Sequence, residues 1–453
     1  MGTALGAGAF LGQQVEARGQ DDFNSYSRYK PSFGGPPDDN DNYMGKLMPG
    51  LRGSGLPPVS VTCPDLEKLP FKIVGGRKEF QLRAMPVVRE FLPGIPMHTW
   101  GYNGSIPGPT IEATQGDKVR VVVTNELPEP TSMHWHGFEC PIDMDGVPGL
   151  VQDLIKPGES KAYEFDIHQT GSFFYHAHVP MQEGMGMTGF FICHPQKAFD
   201  PPVDRDFGLI YQNFYIPANA SINDTTKMDW NWHTINGRSG PNITPMVVKH
   251  GERVRVRLLN FSPMQHHPIH LHGHTFWLTG SEGGRIPQSA WIPRNNTLVG
   301  VAMSQDFEFI ANNPGDWIFH CHMVHHMMNH MVRQIGPRIR PGDSVMEYLA
   351  SLDTIPEPKD VSSIAKFSIP AYPQDMQGMM MADEMKPAAM KAIHAKREAR
   401  GMRAGWPSGV KGLMTVLRVL PEEYYDLVMN SDKPVKPGEV FDAVARGDYR
   451  KKL

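Results

Sequence analysis

The sequence has few cysteines, no long apolar run and no excess of basic residues, and each of these absences excludes a class of protein. Four cysteines in 453 residues are too few for a disulfide-based scaffold. No stretch reaches the roughly 18–20 apolar residues of a membrane helix, so no membrane span is predicted. The formal net charge of −4 offers no basic surface, and nucleic acid is not an expected partner.

Glycine, proline, histidine and methionine are, in contrast, abundant. The 45 glycines and 41 prolines disfavour long helices and favour turn-rich β-structure. The 20 histidines and 28 methionines are side chains that bind copper. Fourteen of the histidines fall in four short segments, at 134–136, 176–178, 266–274 and 320–330. This clustering indicates metal sites.

The two ends of the chain differ from its centre in composition. Residues 1–66 are polar and rich in Gly, Pro and Asp, which predicts an irregular extension. Its start is typical of the later part of an export signal with a cleavage site at 15–17, so a periplasmic or secreted protein is expected. Residues 343–453 contain a Met-rich segment at 376–390 and a predicted helix from about 387 to 400. We interpret them as a partly helical tail.

The centre of the chain contains an internal repeat of a strand-rich unit. Residues 116–125 align with 251–260, and both segments have the alternating pattern of a half-buried strand. Residues 171–178 (GSFFYHAH) align with 315–322 (GDWIFHCH). Over the whole repeat the offset between the copies grows only from 133 to 144 residues.

This repeat predicts an all-β fold with two domains. The first copy occupies residues 67–200 and the second occupies residues 201–342. A repeated strand-rich unit of this size is typical of a Greek-key β-sandwich. The predicted architecture is therefore an irregular N-terminal extension, two β-sandwiches and the C-terminal tail.

His-x-His pairs recur at matching places in the two copies. They are His134/His136 and His176/His178 in the first copy, and His270/His272 and His320/His322 in the second. Residues i and i+2 of a strand point to the same face, so each pair presents two imidazoles side by side. One isolated pair would be interpreted as polar surface histidines, but a set repeated in both domains predicts metal ligands.

The last of these pairs has a cysteine between its two histidines. Cys321, His326 and Met331 supply a thiolate, an imidazole and a weak thioether, which are the ligand types of a blue-copper site. His267 is expected to give the second imidazole of a trigonal site with Met331 in the axial position. Because Cys321 alternates with its neighbouring histidines along the strand, it faces the opposite side. A short covalent path would then join a mononuclear copper to a copper cluster.

The first copy of the repeat lacks this site. Ala177 stands where Cys321 stands in the second copy, and Gln182 stands where His326 stands. Met187 keeps the methionine position, but a thioether alone does not make such a site. The first domain is therefore predicted to hold cluster ligands and no blue copper, so that electrons enter only in the second domain.

These motifs resemble those of the multicopper oxidase family, and in particular the small two-domain laccases with type 1 copper in the second domain. The resemblance covers about residues 95–335 and rests on MHWHG, YHAH, HPIHLHGH and HCHxxxHxxxxM in this order. It implies two cupredoxin-like domains. It also implies four coppers per functional unit, of which one is type 1, one is type 2 and two are type 3.

The resemblance further implies a role for each ligand. Type 1 copper would be bound by His267, Cys321, His326 and Met331, type 2 by His134 and His270, and type 3 by His136, His176, His178, His272, His320 and His322. Asp145 in DMDGVPG matches an acidic residue that assists proton delivery to the cluster, although it could simply cap a turn. Many relatives carry a second acidic residue after the distal type 1 histidine, where this chain has Met327.

The activity that the resemblance implies is laccase-like. A reducing substrate such as a phenol or an aromatic amine would be oxidised in one-electron steps, and dioxygen would be reduced to water with four electrons. Similar two-domain enzymes form their clusters between neighbouring subunits of a ring. Because four cluster histidines come from each domain, a homotrimer with interfacial clusters is predicted.

Three alternatives remain open. The Met-rich segment suggests a cuprous oxidase that oxidises Cu(I) in copper tolerance, with Met380, Met381 and Met385 as candidate ligands, unless these side chains only fill an apolar helix face. A copper nitrite reductase has a similar architecture but needs a lone type 2 site. A non-enzymatic blue-copper electron carrier would need only one copper. The eight additional cluster histidines argue against the last two.

Overall fold

The computed structural model describes residues 51, 53–217, 220–228, 230–327 and 387–448. Strands dominate these ranges, and the predicted all-β fold of two sandwiches with a partly helical C-terminal region is confirmed. No helix in the described part of the chain is long and apolar enough to span a membrane. The signal-like start of the chain and the Met-rich segment up to residue 386 lie outside the described residues.

Nine strands of the described chain build the first domain. They are β1 (Phe71–Val74), β2 (Arg77–Leu92), β3 (Ile95–Tyr102), β4 (Ile111–Thr114), β5 (Lys118–Asn125), β6 (His134–His136), β7 (Ser160–Asp166), β8 (Gly171–His176) and β9 (Thr188–His194). One sheet has the order β1-β2-β5-β7 with β3 paired to β2, and the other has the order β4-β9-β8-β6. Apolar side chains from both sheets, with Trp135 among the largest, form the core between them.

The second domain repeats this arrangement. Its strands are β10 (Arg205–Phe214), β11 (Trp232–Ile235), β12 (Met246–Lys249), β13 (Arg253–Asn260), β14 (His267–Leu271), β15 (Phe276–Ser281), β16 (Gly284–Arg285), β17 (Ile292–Arg294), β18 (Asn296–Val299), β19 (Ser304–Ile310), β20 (Gly315–Cys321) and β21 (Met414–Leu420). One sheet runs β11-β10-β13-β19-β15-β16 with β17 paired to β15, and the other runs β12-β21-β20-β14-β18. The predicted strands at 118–124 and 253–259 are observed as β5 and β13.

One strand of the second domain comes from the region that the sequence assigned to a tail. Strand β21 lies between β12, to which it is parallel, and β20, to which it is antiparallel. Its side chains are almost all buried, as in a central strand that is covered on both faces. The predicted boundary at residue 342 therefore separates β21 from its sheet, and part of the supposed appendage completes the second sandwich.

Short helices occupy the remaining parts of the described chain. They are α1 (Pro180–Gly184), α2 (Pro387–His394), α3 (Glu422–Met429) and α4 (Glu439–Ala445), with 3-10 turns at Ile142–Met144, Gln288–Ala290, Val324–Met327, Arg397–Ala399 and Trp406–Gly409. The helix predicted from about 387 to 400 is observed as α2 and the 3-10 turn that follows it. The buried guanidinium of Arg418 donates to the carbonyl oxygens of Glu398 and Arg400 and pairs with Asp316 of β20 at 2.8 Å. The C-terminal region is thus fixed to the strand that ends in Cys321.

The two domains share a buried polar contact. Ser172 of β8 donates to Asp306 of β19 at 2.6 Å, and Arg257 of β13 donates to the Ser172 hydroxyl at 2.8 Å. Ser304 donates to the backbone carbonyl of Ser172 at 2.6 Å. Because these groups are buried and paired, the contact holds strand β8, which carries His176, against the second domain.

Candidate metal sites

A cysteine thiol and two imidazoles meet at one end of the β14–β20 pair, and we call this group the Cys321 site. His267 begins β14, Cys321 ends β20, and His326 lies in the 3-10 turn that follows. The Cys321 Sγ lies 3.5 Å from His267 Nδ1 and 3.4 Å from His326 Nδ1, and the two nitrogens are 3.1 Å apart. All three side chains are buried, and their ligand atoms are close enough together to hold one metal ion. Met331, the predicted axial ligand, lies outside the described residues.

The donor set of the Cys321 site fits copper. Two imidazoles and one thiolate in a trigonal arrangement are the ligands of blue-copper sites. Burial raises the pKa of the Cys321 thiol to about 12 and lowers the pKa of His326 to about 4. Without a metal the thiol therefore keeps its proton, and a bound cation is needed to stabilise the thiolate. Metal binding at this site should release a proton.

Two polar side chains that sequence reasoning missed support the two imidazoles. The Ser262 hydroxyl lies 2.7 Å from His267 Nε2, so that His267 presents Nδ1 to the metal position. The ring of His233, which is fully buried, lies 4.5 Å from the ring of His326, and its Nδ1 contacts Asn213 at 3.1 Å. Neither Ser262 nor His233 belongs to a recognisable spacing pattern, so only the structure could reveal them.

Four histidines of the second domain form a group on the opposite side of β20 from Cys321. His270 of β14 is the register partner of His320 of β20, and their rings are 5.6 Å apart. His272 lies with its Nε2 3.2 Å from the Nε2 of His320, and the ring of His322 lies 5.3 Å from that of His320. Cys321 instead packs into the domain core. The alternation predicted along this strand is therefore observed.

Four histidines of the first domain form a matching group. His134 of β6 is the register partner of His176 of β8, as His270 is of His320 in the second domain. The ring of His134 lies 5.3 Å from that of His176, 5.4 Å from that of His178 and 5.8 Å from that of His136. Ala177 is fully buried in the domain core, in the place that Cys321 takes in the second copy. We call these two groups of four the first and second half-sites.

Two histidines of each half-site are oriented by backbone carbonyl groups. His134, His176, His270 and His320 each place Nδ1 between 2.6 and 2.8 Å from a carbonyl oxygen, of Asp145, Ala177, Asn295 and Cys321 respectively. This leaves Nε2 of each ring available as a metal ligand. Burial lowers the pKa of His176 to about 3 and that of His136 and His320 to about 4, so these imidazoles are neutral at pH 7.

Within the described part of one chain, no group of ligand atoms close enough to hold one ion combines the two half-sites. Among the described residues, each group of side chains that could hold a metal draws its members from a single domain. These groups are His134/His136/His176, His270/His272/His320 and the Cys321 site. The eight histidines expected to surround one copper cluster are therefore present as two sets of four.

Two carboxylates lie beside the first half-site. The Asp145 Oδ1 is 3.5 Å from His134 Nδ1, and the backbone carbonyl of Asp145 anchors the same ring. The Glu183 Oε1 is 3.8 Å from His176 Nδ1, and burial raises the pKa of this carboxyl group. Sequence reasoning missed Glu183, although the repeat places it where Met327 stands in the second copy. The proton-delivery role of Asp145 stays a prediction.

All four cysteines lie in the described ranges, and none of them forms a disulfide.

The fold and the sites together define a copper oxidoreductase. The chain has two β-sandwiches, a buried site of one cysteine and two histidines, and two paired-histidine half-sites. Two family models described as multicopper oxidase match residues 87–198 and 211–338. The chain belongs to the multicopper oxidase family.

Several individual proteins are similar to the chain. The probable nitrite reductase-hydroxylamine oxidoreductase fusion protein of Kuenenia stuttgartiensis is 29% identical over 300 residues, which cover 61% of this chain and 33% of that protein. Multicopper oxidase mco of Staphylococcus aureus is 31% identical over 240 residues, which cover 50% of this chain and 52% of that protein. The crystal structure of blue copper oxidase from Nitrosomonas europaea is 30% identical with a TM-score of 0.51, covering 56% of this chain and 81% of that chain. The chain spans about half or less of the length of these two curated relatives.

Proposed function

We propose that this protein is a laccase-like oxidase that oxidises a phenol or an aromatic amine in one-electron steps and reduces dioxygen to water. The observation that carries the proposal is the sharing of one strand by two sites. The Cys321 side chain points into the buried site that it forms with His267 and His326. His320 and His322, on either side of it in the sequence, point to the opposite face and belong to the second half-site. Bound copper would supply the one-electron redox chemistry and the reduction of dioxygen.

Each site residue then has a proposed role. Type 1 copper is held by His267, Cys321, His326 and Met331, type 2 copper by His134 and His270, and the type 3 pair by His136, His176, His178, His272, His320 and His322. Each functional unit would contain four coppers. Asp145 is the proposed proton donor at the edge of the first half-site.

Strand β20 provides the path from the substrate side to the cluster. Cys321 is joined to His320 and His322 by the backbone, and His320 Nδ1 lies 2.8 Å from the carbonyl oxygen of Cys321. The path therefore consists of covalent bonds and one hydrogen bond. The separation keeps an organic substrate on the Cys321 side and dioxygen at the histidines of the half-sites.

The separation of the half-sites supports a homotrimer. A second copy that presents its first half-site to the second half-site of its neighbour would complete the set of eight histidines. Three copies arranged head to tail close such a ring. The loop beside the first half-site exposes Ile142 and Leu150 by 71% and 79%, and apolar side chains in such a position favour a protein interface.

Oxygen uptake tests the proposed reaction. The copper-loaded protein is expected to consume one dioxygen for every four single electrons taken from a phenol, because complete reduction to water requires four. The measurement combines an oxygen electrode with the absorbance of the oxidised phenol. Substrate oxidation without oxygen uptake, or hydrogen peroxide as the main product, would contradict the proposed oxidase.

A cuprous oxidase is the second candidate, and the Met-rich sequence favours it. Met380, Met381 and Met385 lie outside the described residues and keep their status as candidate Cu(I) ligands. Met390 differs from them, because in α2 it packs against the apolar cluster that contains Phe91. It is therefore a packing residue.

Deletion of residues 376–386 separates the two candidates and spares α2. If the methionines deliver Cu(I), the rate of Cu(I) oxidation relative to phenol oxidation should fall about tenfold, the scale typical of losing a supporting metal contact. The measurement is kcat/KM for both reductants in the deletion variant and in the intact protein. An unchanged ratio would reject the cuprous oxidase.

Nitrite reduction is the third candidate activity, and the comparisons support it only through the name of the Kuenenia stuttgartiensis relative. Two half-sites of four histidines exceed the ligands that a lone type 2 copper needs, and Ala177 leaves the first domain without a blue copper.

The signal-like first residues favour an exported protein, periplasmic or secreted, as a further proposal.

A further inference from the structure

A hydrogen-bonded pair of polar side chains occupies the place in the first domain where the second domain has its two type 1 imidazoles. Gln182 is the counterpart of His326 in the repeat. Thr131 is the counterpart of His267, since each lies three residues before the first His-x-His pair of its domain. The Thr131 hydroxyl donates to Gln182 Oε1 at 2.6 Å, whereas the two imidazoles of the second domain approach each other through Nδ1 atoms 3.1 Å apart.

The amide of Gln182 is fully buried, and its remaining hydrogen bonds end on the same short segment of chain. Its Nε2 donates to the backbone carbonyl of Pro130 at 2.8 Å and to the carboxylate of Glu129 at 3.0 Å. Both amide hydrogens and the amide oxygen are therefore paired. Because an unpaired buried polar group is costly, these bonds fix α1, which contains Gln182, to residues 129–131.

This connection extends the strand pairing that carries the first half-site. Residues 129–132 lead into β6 and His134, while α1 directly follows His178. The backbone N–H of His178 donates to the Ser132 hydroxyl at 3.2 Å, just as the N–H of His322 donates to the carbonyl of Pro268 at 2.7 Å in the second domain. Both domains thus hold this corner at equivalent positions, through a side-chain acceptor in the first and a backbone acceptor in the second.

We propose that Thr131 and Gln182 form a strut that positions His176 and His178 for metal binding. The strut does in the first domain what copper bound at the Cys321 site would do in the second, which is to join the segment before one histidine pair to the turn after the other. This inference rests on the proposed assignment of His176 and His178 to the cluster. Thr131 and Gln182 are positioning residues and contact no metal.

Two substitutions of Thr131 test the strut. Thr131→Val keeps the shape of the side chain but removes the hydroxyl, which leaves Gln182 Oε1 unpaired in the core. Thr131→Ser keeps the hydroxyl. We expect Thr131→Val to hold the cluster coppers about tenfold more weakly against a chelator, the scale found when a supporting contact of a metal ligand is lost. Thr131→Ser should stay within about twofold of the unaltered protein.

The type 1 copper serves as an internal reference in the same samples, because its ligands all belong to the second domain. The thiolate-to-copper absorption per chain should be unchanged in Thr131→Val.

Asn231→Ala is a matched control, since Asn231 is a buried amide that bonds the backbone of Ile216 at 2.8 and 2.9 Å and contacts no candidate ligand. It should lower the melting temperature without changing the ratio of cluster copper to type 1 copper.

Several outcomes would overturn the strut. If Thr131→Val retains cluster copper like the unaltered protein, or if Thr131→Ser loses as much copper as Thr131→Val, the hydrogen bond does not position the half-site. Parallel loss of type 1 absorption would show general destabilisation instead. If the unaltered protein binds type 1 copper alone, the proposed function itself fails, and this result is distinguishable from a failure of the strut.

Discussion

Replacement of Cys321 by serine is expected to abolish substrate oxidation while leaving most of the bound copper in place. The variant should bind three coppers per chain instead of four, since the cluster ligands face away from Cys321. In the proposed function the Cys321 thiolate is both a copper ligand and the start of the path to His320, so kcat should fall by at least about a thousandfold, as when one member of a catalytic unit is removed. Copper analysis and oxygen uptake on the same sample measure both effects.

The loss in Cys321→Ser has a matched control in the first domain. Cys193 is also buried in a sheet, but it contacts no candidate ligand. Cys193→Ala should keep four coppers per chain and the thiolate-to-copper absorption. If Cys321→Ser still oxidises phenols at a rate near that of the unaltered protein, electrons do not enter at the site that we propose. Loss of all copper would instead show that the half-sites depend on the Cys321 site.

The fold and the metal groups could be predicted from the sequence because a strand ties spacing to direction. Residues i and i+2 share a face, so HCH could only place Cys321 opposite its two histidines. The same rule and the repeat predicted that His134 and His270 occupy equivalent places. The structure bears this out through the matching register partners His176 and His320.

Other features had no such rule. Strand β21 is separated from β20 by more than 90 residues without a counterpart in the repeat, so its place in the sheet depends on tertiary packing alone. Ser262 and His233 act through a hydrogen bond and a ring contact, for which the sequence carries no periodic signal. Gln182 was recognised only as a missing ligand. Its buried, fully paired amide gives that position a role of its own.

If the cluster is shared between neighbouring chains, as we propose, two inactive variants should restore each other's activity. His134→Ala/His136→Ala removes two ligands of the first half-site, and His270→Ala/His272→Ala removes two of the second. Neither pair includes a proposed type 1 ligand or a sequence neighbour of Cys321, so each variant should keep its type 1 copper. Each variant alone should be inactive, because every cluster in its ring lacks ligands from the same side.

Mixed rings of the two variants differ, because some clusters receive intact halves from both chains. A cluster is complete only when both of its half-sites are intact. Its second half-site must come from a His134→Ala/His136→Ala chain, and its first half-site must come from a His270→Ala/His272→Ala chain. With equal amounts and random order in a closed ring, this occurs at about one interface in four. Co-expression is therefore expected to restore about a quarter of the unaltered activity.

Oxygen uptake by the co-expressed pair is the most direct test of clusters shared between chains. Differently tagged chains purified together, with the mass of a trimer, establish that mixed rings have formed. Shared clusters predict two inactive variants whose unselected mixture recovers about a quarter of the oxygen uptake, and about a third once rings carrying both tags have been isolated. Mixed rings that remain inactive, or a monomer with full copper content and activity, would contradict them.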